Sequence, residues 1–145
     1  QLKATSGHSE IQVIKEYGDI SDVECYPSQL NQVFMNIIAN AIDAFEEKSA
    51  NQPKKSNQII IRTSQVNHNF VKIIIADNAC GIPSEIYSKV FNPFFTTKQV
   101  GKGTGLGLSI SYEIITDKHG GKLSFDSTPM QGTKFMIEIP ITHQK

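Results

Sequence analysis

Asn36, Asn40 and Asp43 fall at i, i+4 and i+7, and at about 3.6 residues per turn they share one face of a helix. An amide oxygen on such a face is a hard ligand of the kind magnesium takes, so Asn40 is a candidate to hold a magnesium ion that bridges phosphates. The same stripe is also what an amphipathic helix shows to water, and the helix alone does not decide between the two. Further along, Asp77 heads the run Asp77-Asn78-Ala79-Cys80-Gly81-Ile82-Pro83. A carboxylate fixed there can accept a hydrogen bond from the amino group of adenine, whereas the carbonyl oxygen of guanine would face it with repulsion. Gly81 lets the backbone approach a flat ring closely. An ordinary strand-to-helix turn has the same composition.

In Gly101-Lys102-Gly103-Thr104-Gly105-Leu106-Gly107-Leu108 glycine recurs at every second position up to the start of a helix. Such a segment can turn free backbone N–H groups and the positive end of a helix dipole toward phosphates. The spacing is not that of a P-loop, and no strand leads into it as a dinucleotide site would require. Just before it, Phe91-Asn92-Pro93-Phe94-Phe95-Thr96-Thr97-Lys98 places three aromatics in an aperiodic stretch. They can pin a loop to the core, and a loop so anchored can close over a nucleotide, with Lys98 and Lys102 as candidate phosphate contacts. Each stretch alone is weak, but the four in order describe the walls of one nucleotide pocket.

The ordered set resembles the N, G1, F and G2 boxes of the ATP-binding domain of two-component sensor histidine kinases, within the Bergerat-fold group that also holds DNA gyrase, Hsp90 and MutL. The resemblance runs from about Ile11 to Ile139. It implies an α+β fold: a two-layer sandwich with a mixed sheet of about five strands plus a small N-terminal hairpin, three helices on one face and a flexible ATP lid. It implies ATP and Mg²⁺ as cofactors, with the γ-phosphate passing to a histidine on a separate helical dimerisation domain and then to an aspartate of a response regulator. Carried over onto this chain, Asn36, Asn40 and Lys98 are the catalytic positions, and Asn40 is the magnesium ligand. Asp43, Asp77, Ala79, Gly81, Ile82 and Thr133 surround the nucleotide with Asn40. The lid side is contributed by Phe94, Lys98, Lys102, Gly103, Thr104, Gly105, Leu106, Gly107 and Leu108. Thr133, in Gly132-Thr133-x-Phe135, is expected to bring a hydroxyl near Asp77.

Two positions depart from patterns within the group. The first glycine of the G1 box is Ala79, whose methyl is expected to press on the base or restrict the turn while leaving binding intact. Where the ATPases of the group place a glutamate as general base, this chain has Asn36, which cannot take a proton near neutral pH. Direct hydrolysis should therefore be slow, whereas an acceptor histidine brings its own nucleophile. The alternatives are an ATP-driven clamp of the gyrase, Hsp90 or MutL type, and a transfer-inactive regulatory module at which only Ala79 hints.

Positioning these residues requires particular elements. Residues 1–9 are polar and aperiodic and read as a linker or leader, with residues 10–145 as the catalytic domain. Ile11 to Glu16 and Asp22 to Cys25, separated by Gly18-Asp19, read as two short strands joined by a turn. Leu30, Val33, Phe34, Ile37, Ile38, Ala41, Ile42 and Phe45 define the longest helix, with Pro27 in its first turn. Gln58–Val66 and Phe70–Ala76 read as an antiparallel hairpin, Pro83–Val90 as a short helix, and Leu106 to about Lys118 as a second helix stopped at Gly120-Gly121. Lys122–Ser127 and Lys134–Ile139 pair as a terminal hairpin.

The 145 residues suit one domain, and 14 acidic against 14 basic residues leave no basic field for nucleic acid. Two separated cysteines, Cys25 and Cys80, suggest free thiols and a cytoplasmic setting. No apolar run approaches the roughly 20 residues that cross a bilayer. His8, His68, His119 and His143 lie outside a helical acceptor setting and read as surface residues. The chain is thus expected to be the catalytic part of a larger kinase, monomeric by itself and unable to label itself.

Overall fold

Alternation in the isoleucine-rich runs builds the frame. The computed structural model describes residues 10–48, 56–93, 95 and 107–142. Its strands β1 (Ile11–Tyr17), β2 (Asn57–Gln65), β3 (Phe70–Asp77), β4 (Lys122–Thr128) and β5 (Gly132–Pro140) form one mixed sheet in the order β1-β2-β3-β5-β4. β1 runs parallel to β2, and the other neighbours are antiparallel. A parallel pair needs a long crossover, and the chain between β1 and β2 supplies helix α1 (Pro27–Lys48).

Successive side chains of a strand face opposite ways, so the odd-numbered Ile59, Val71, Ile73, Ile75, Leu123, Phe135, Ile137 and Ile139 share one face and are buried. From α1 come Leu30, Val33, Ile37, Ala41 and Phe45, also buried, at the three- and four-residue steps of a helix face. At roughly 25 cal/mol per Å² of apolar area, this sheet-to-helix contact is the main source of stability. The polar stripe of Asn36, Asn40 and Asp43 borders that face and is half-buried.

The expected N-terminal hairpin does not form. Asp22 to Cys25 is not a strand, and β1 is instead the fifth, edge strand of the main sheet, in register with β2 from Ile11–Asn57 to Tyr17–Thr63. The edge of β2 offers β1 a complete ladder with a row of matching apolar partners, which a two-stranded ribbon could not. The intervening segment crosses back to α1, tied down by Gly18 N–H to Thr63 O at 2.9 Å and Glu24 N–H to Ile141 O at 2.8 Å.

The remaining helical stretches are shorter or looser than periodicity implies. Ser84–Lys89 is a 3₁₀ turn. The second helix is α2 (Gly107–Glu113), which continues as a π-helical turn at Ile114–Lys118, with His119 N–H donating to Ile114 O at 3.1 Å. The wider turn buries the sequence neighbours Ile114 and Ile115 together.

His119, expected at the surface, is only 2% exposed. Its Nε2 accepts the Tyr26 N–H at 3.1 Å, so the ring proton is on Nδ1, which donates to Ile114 O at 2.9 Å. Tyr26 directly precedes α1, and its ring meets that of His119 edge-on at 5.4 Å. One imidazole thus joins the start of α1 to the end of the second helix. No helix among the described residues is long and apolar enough to cross a membrane.

Candidate nucleotide site

Strand register brings the polar residues into line. Val13, Ile59, Asp77, Thr133 and Ser127 are successive partners in one row across all five strands. Being of one parity, they point to the sheet face that packs on the helices. Asp77 Oδ1 accepts the Ala79 N–H at 3.0 Å and the Thr133 N–H at 3.3 Å. Thr133 thus meets the Asp77 carboxylate through its backbone N–H, while its hydroxyl pairs with Ser127 Oγ at 3.0 Å.

Two glycines make the close approach possible. Gly132 has φ +139°, and a Cβ there would stand 2.0 Å from Asp77 O. Gly81 has φ +80°, and its Cβ would stand 2.5 Å from Thr128 O. An L side chain at either position would meet backbone that cannot move without breaking the β3–β5–β4 ladder. Ile82 N–H donates to Ser127 Oγ at 2.7 Å, closing the Asp77–Ile82 loop onto β4.

Ala79 does not adopt positive φ, which is the condition under which a methyl can be accommodated in this turn. It is fully buried within the hydrophobic core cluster, and Met130 is the one non-glycine with positive φ among the described residues. The methyl is core packing and imposes no left-handed backbone, so the turn is not restricted. Beside it, Cys80 reaches α1, its thiol 3.9 Å from Ala44 O, and Cys80 O accepts the Met130 N–H at 2.6 Å. Asn78 closes the other side: its Oδ1 accepts the Gln58 N–H and its Nδ2 donates to Ser56 O, both at 2.8 Å.

The helix face and the glycine-rich stretch also converge. Asn36 Nδ2 donates to Gly107 O at 3.1 Å and to Ser111 Oγ at 3.2 Å, and Ser111 Oγ donates to Gly107 O at 2.8 Å. Asn36 thereby fastens the first turn of α2 to α1. Leu108, next in α2, is half-buried and packs against the core. The Asn40 side chain, one turn further on, makes no hydrogen bond among the described residues. An uncommitted, half-buried amide oxygen suits a hard cation; the described residues hold no cluster of three His, Cys, Asp or Glu that could cage a metal by itself.

Phe91 heads a chain of aromatic contacts that sequence reading reached only in outline: Tyr112 at 5.1 Å, Phe125 at 5.8 Å, and from Phe125 on to Tyr87 at 5.2 Å and Phe135 at 5.9 Å. This pins the beginning of the Phe91 loop between α2 and the sheet. Phe94, Lys98, Lys102, Gly103, Thr104, Gly105 and Leu106 lie outside the described residues, as does the leader at 1–9. Ser127, which holds the Asp77 loop, and Tyr87, whose hydroxyl donates to Ser127 O at 2.7 Å, were not picked out by motif. Ser127 is foreshadowed only by its register opposite Thr133.

A mixed sheet covered by helices on one face, an aspartate at the end of its central strand, and an asparagine-bearing helix against a glycine-flanked helix start define an ATP-binding domain. Residues 25–143 match the family described as histidine kinase-, DNA gyrase B- and HSP90-like ATPase. Sporulation kinase E of Bacillus subtilis is 33% identical over 141 residues, covering 97% of this chain and 18% of that protein. The nucleotide-free catalytic domain of the histidine kinase ThkA superposes with TM-score 0.73 at 34% identity, covering 92% of this chain and 82% of that one. ThkA in complex with the response regulator protein TrrA matches with TM-score 0.69 at 32% identity, over 91% of this chain and 34% of that one. The chain belongs to this ATPase family, and within it to the catalytic ATP-binding domains of sensor histidine kinases. It spans between 13% and 19% of the length of the first three curated relatives it matches.

Proposed function

We propose that the domain binds Mg·ATP and presents the γ-phosphate to a histidine on a separate helical dimerisation domain of the same kinase, from which it passes to a response-regulator aspartate. The observation that carries this reading is the state of Asn36. At the position of an ATPase base stands an amide that cannot take a proton and whose nitrogen is spent on Gly107 and Ser111. Water is therefore left without an activating group at this position, and transfer depends on a nucleophile brought by the acceptor. The ThkA–TrrA complex supports the final step by likeness.

In this reading Asp77 takes the adenine amino group, with Gly81 and Ile82 under the ring. Asn40 would hold the magnesium ion, which when bound draws charge from the phosphate oxygens, and Asp43 stands one turn beyond it. Lys98, Lys102 and the Gly103–Leu106 stretch would meet the phosphates, and Phe94 would anchor the lid. Gly107 and Leu108 fix the start of α2, whose positive dipole end would lie toward the phosphates.

The test is to mix the chain with γ-labelled Mg·ATP and the histidine-bearing helical fragment of its parent. Acid-labile, alkali-stable label on the fragment is the expected result. Rapid release of free phosphate by the chain alone would favour a clamp ATPase, and binding without transfer would favour a regulatory module.

A further inference from the structure

Ser127 has no place in the reading above, yet its hydroxyl stands where the two walls of the base site meet. A hydroxyl has one proton to give and two lone pairs. One lone pair of Ser127 Oγ takes the Ile82 N–H at 2.7 Å, from the Asp77 loop. Its proton has two acceptors within reach, Gly132 O at 3.1 Å and Thr133 Oγ1 at 3.0 Å. The choice between them has a consequence. If Ser127 donates to Thr133 Oγ1, the Thr133 proton is released to a partner outside the pair. If it donates to Gly132 O, Thr133 turns its own proton back on Ser127 Oγ.

The backbone of Ser127 is fixed independently. Its carbonyl accepts the Tyr87 hydroxyl at 2.7 Å, and a Cβ on Gly81 would come within 3.1 Å of its Oγ. The hydroxyl therefore braces the Gly132-Thr133 turn, whose N–H reaches Asp77 Oδ1 at 3.3 Å.

We infer that Ser127 is a positioning residue for adenine recognition: it sets the Asp77 carboxylate and the Thr133 hydroxyl as an adjacent acceptor and donor. Adenine offers the complement, an amino donor beside the N1 acceptor, whereas guanine offers a carbonyl beside an N1–H donor. Such a pair accepts the first and rejects the second. The inference rests on the reading that Asp77 faces the base.

The experiment is calorimetric titration of the chain with Mg·ATP and Mg·GTP, for the natural sequence, Ser127→Ala, Ser127→Thr, Thr133→Val and the Ser127→Ala/Thr133→Val pair. Loss of one aligned hydrogen bond is expected to weaken ATP roughly three- to tenfold in Ser127→Ala and to leave GTP within about twofold. Ser127→Thr keeps the preference, and the double variant is no worse than Thr133→Val. A residue that merely supports the fold would lower the melting temperature and leave the ATP-to-GTP ratio unchanged, which overturns the inference. If Ser127→Ala lacks a folded circular dichroism spectrum, Ser127→Cys, of similar volume and weaker hydrogen bonding, takes its place under the same criterion. A natural chain that binds both nucleotides equally, or neither, overturns the assignment of Asp77 as well. One that prefers ATP, with the preference intact in Ser127→Ala, overturns Ser127 alone.

Discussion

Asn36 and Asn40 sit one turn apart on α1 in different surroundings. Asn36 is held by two hydrogen bonds to α2, while Asn40 has none among the described residues. Asn40→Ala should therefore weaken ATP at least about tenfold when magnesium is present, since a charged contact is worth more than a neutral one, and change little in EDTA. Equal losses under both conditions would move Asn40 from the metal to the nucleotide. Asn36→Ala should behave otherwise, costing about 1–2 kcal/mol in urea unfolding through an abandoned carbonyl and hydroxyl. Gly81→Ala combines φ +80° with a 2.5 Å approach to Thr128 O, and should cost at least about 2 kcal/mol in the same measurement. Asn40 and Asp77 could be singled out by residue type and spacing because their chemistry is local, whereas Thr133 was singled out only through the family resemblance. Ser127 was not, because only the β4–β5 register puts its hydroxyl beside Thr133.

Among the elements, those specified by their own periodicity were legible and those specified by a partner were not. The apolar stripe of α1 and the alternation of β2, β3 and β5 give their type directly, and their observed limits lie close to the expected ones. β1 reads as half of a hairpin because alternation reveals a strand without revealing its neighbour. Its neighbour, β2, lies beyond the whole of α1. The π-helical turn was equally hidden, since it depends on His119 fitting between Ile114 O and Tyr26 N–H. Replacing His119 by Phe keeps the ring and removes both bonds. The expected cost is about 2–3 kcal/mol in urea unfolding, with His119→Gln recovering part of it. Equal stability of the two variants would reduce the histidine to packing.

At the scale of the whole molecule, the balance of 14 acidic and 14 basic residues leaves little long-range repulsion between copies. Solubility should pass through a minimum near neutral pH, measurable as turbidity against pH at fixed concentration, and should rise on either side as net charge grows. The row Val13–Ile59–Asp77–Thr133–Ser127 crosses every strand, so the proposed base site would be built into the sheet and not appended to it. The register also fixes how the fold meets a mechanical load. β1 and β5 run in the same direction, with Ile11 beyond the Asp77 end of the sheet and Pro140 beside Phe70 at the opposite end. Tension applied at these two points pulls along the strands and loads their ladders in shear, many bonds at once, instead of unzipping them singly. Force applied at these two points should therefore leave the Val13–Ile59–Asp77–Thr133–Ser127 row in register.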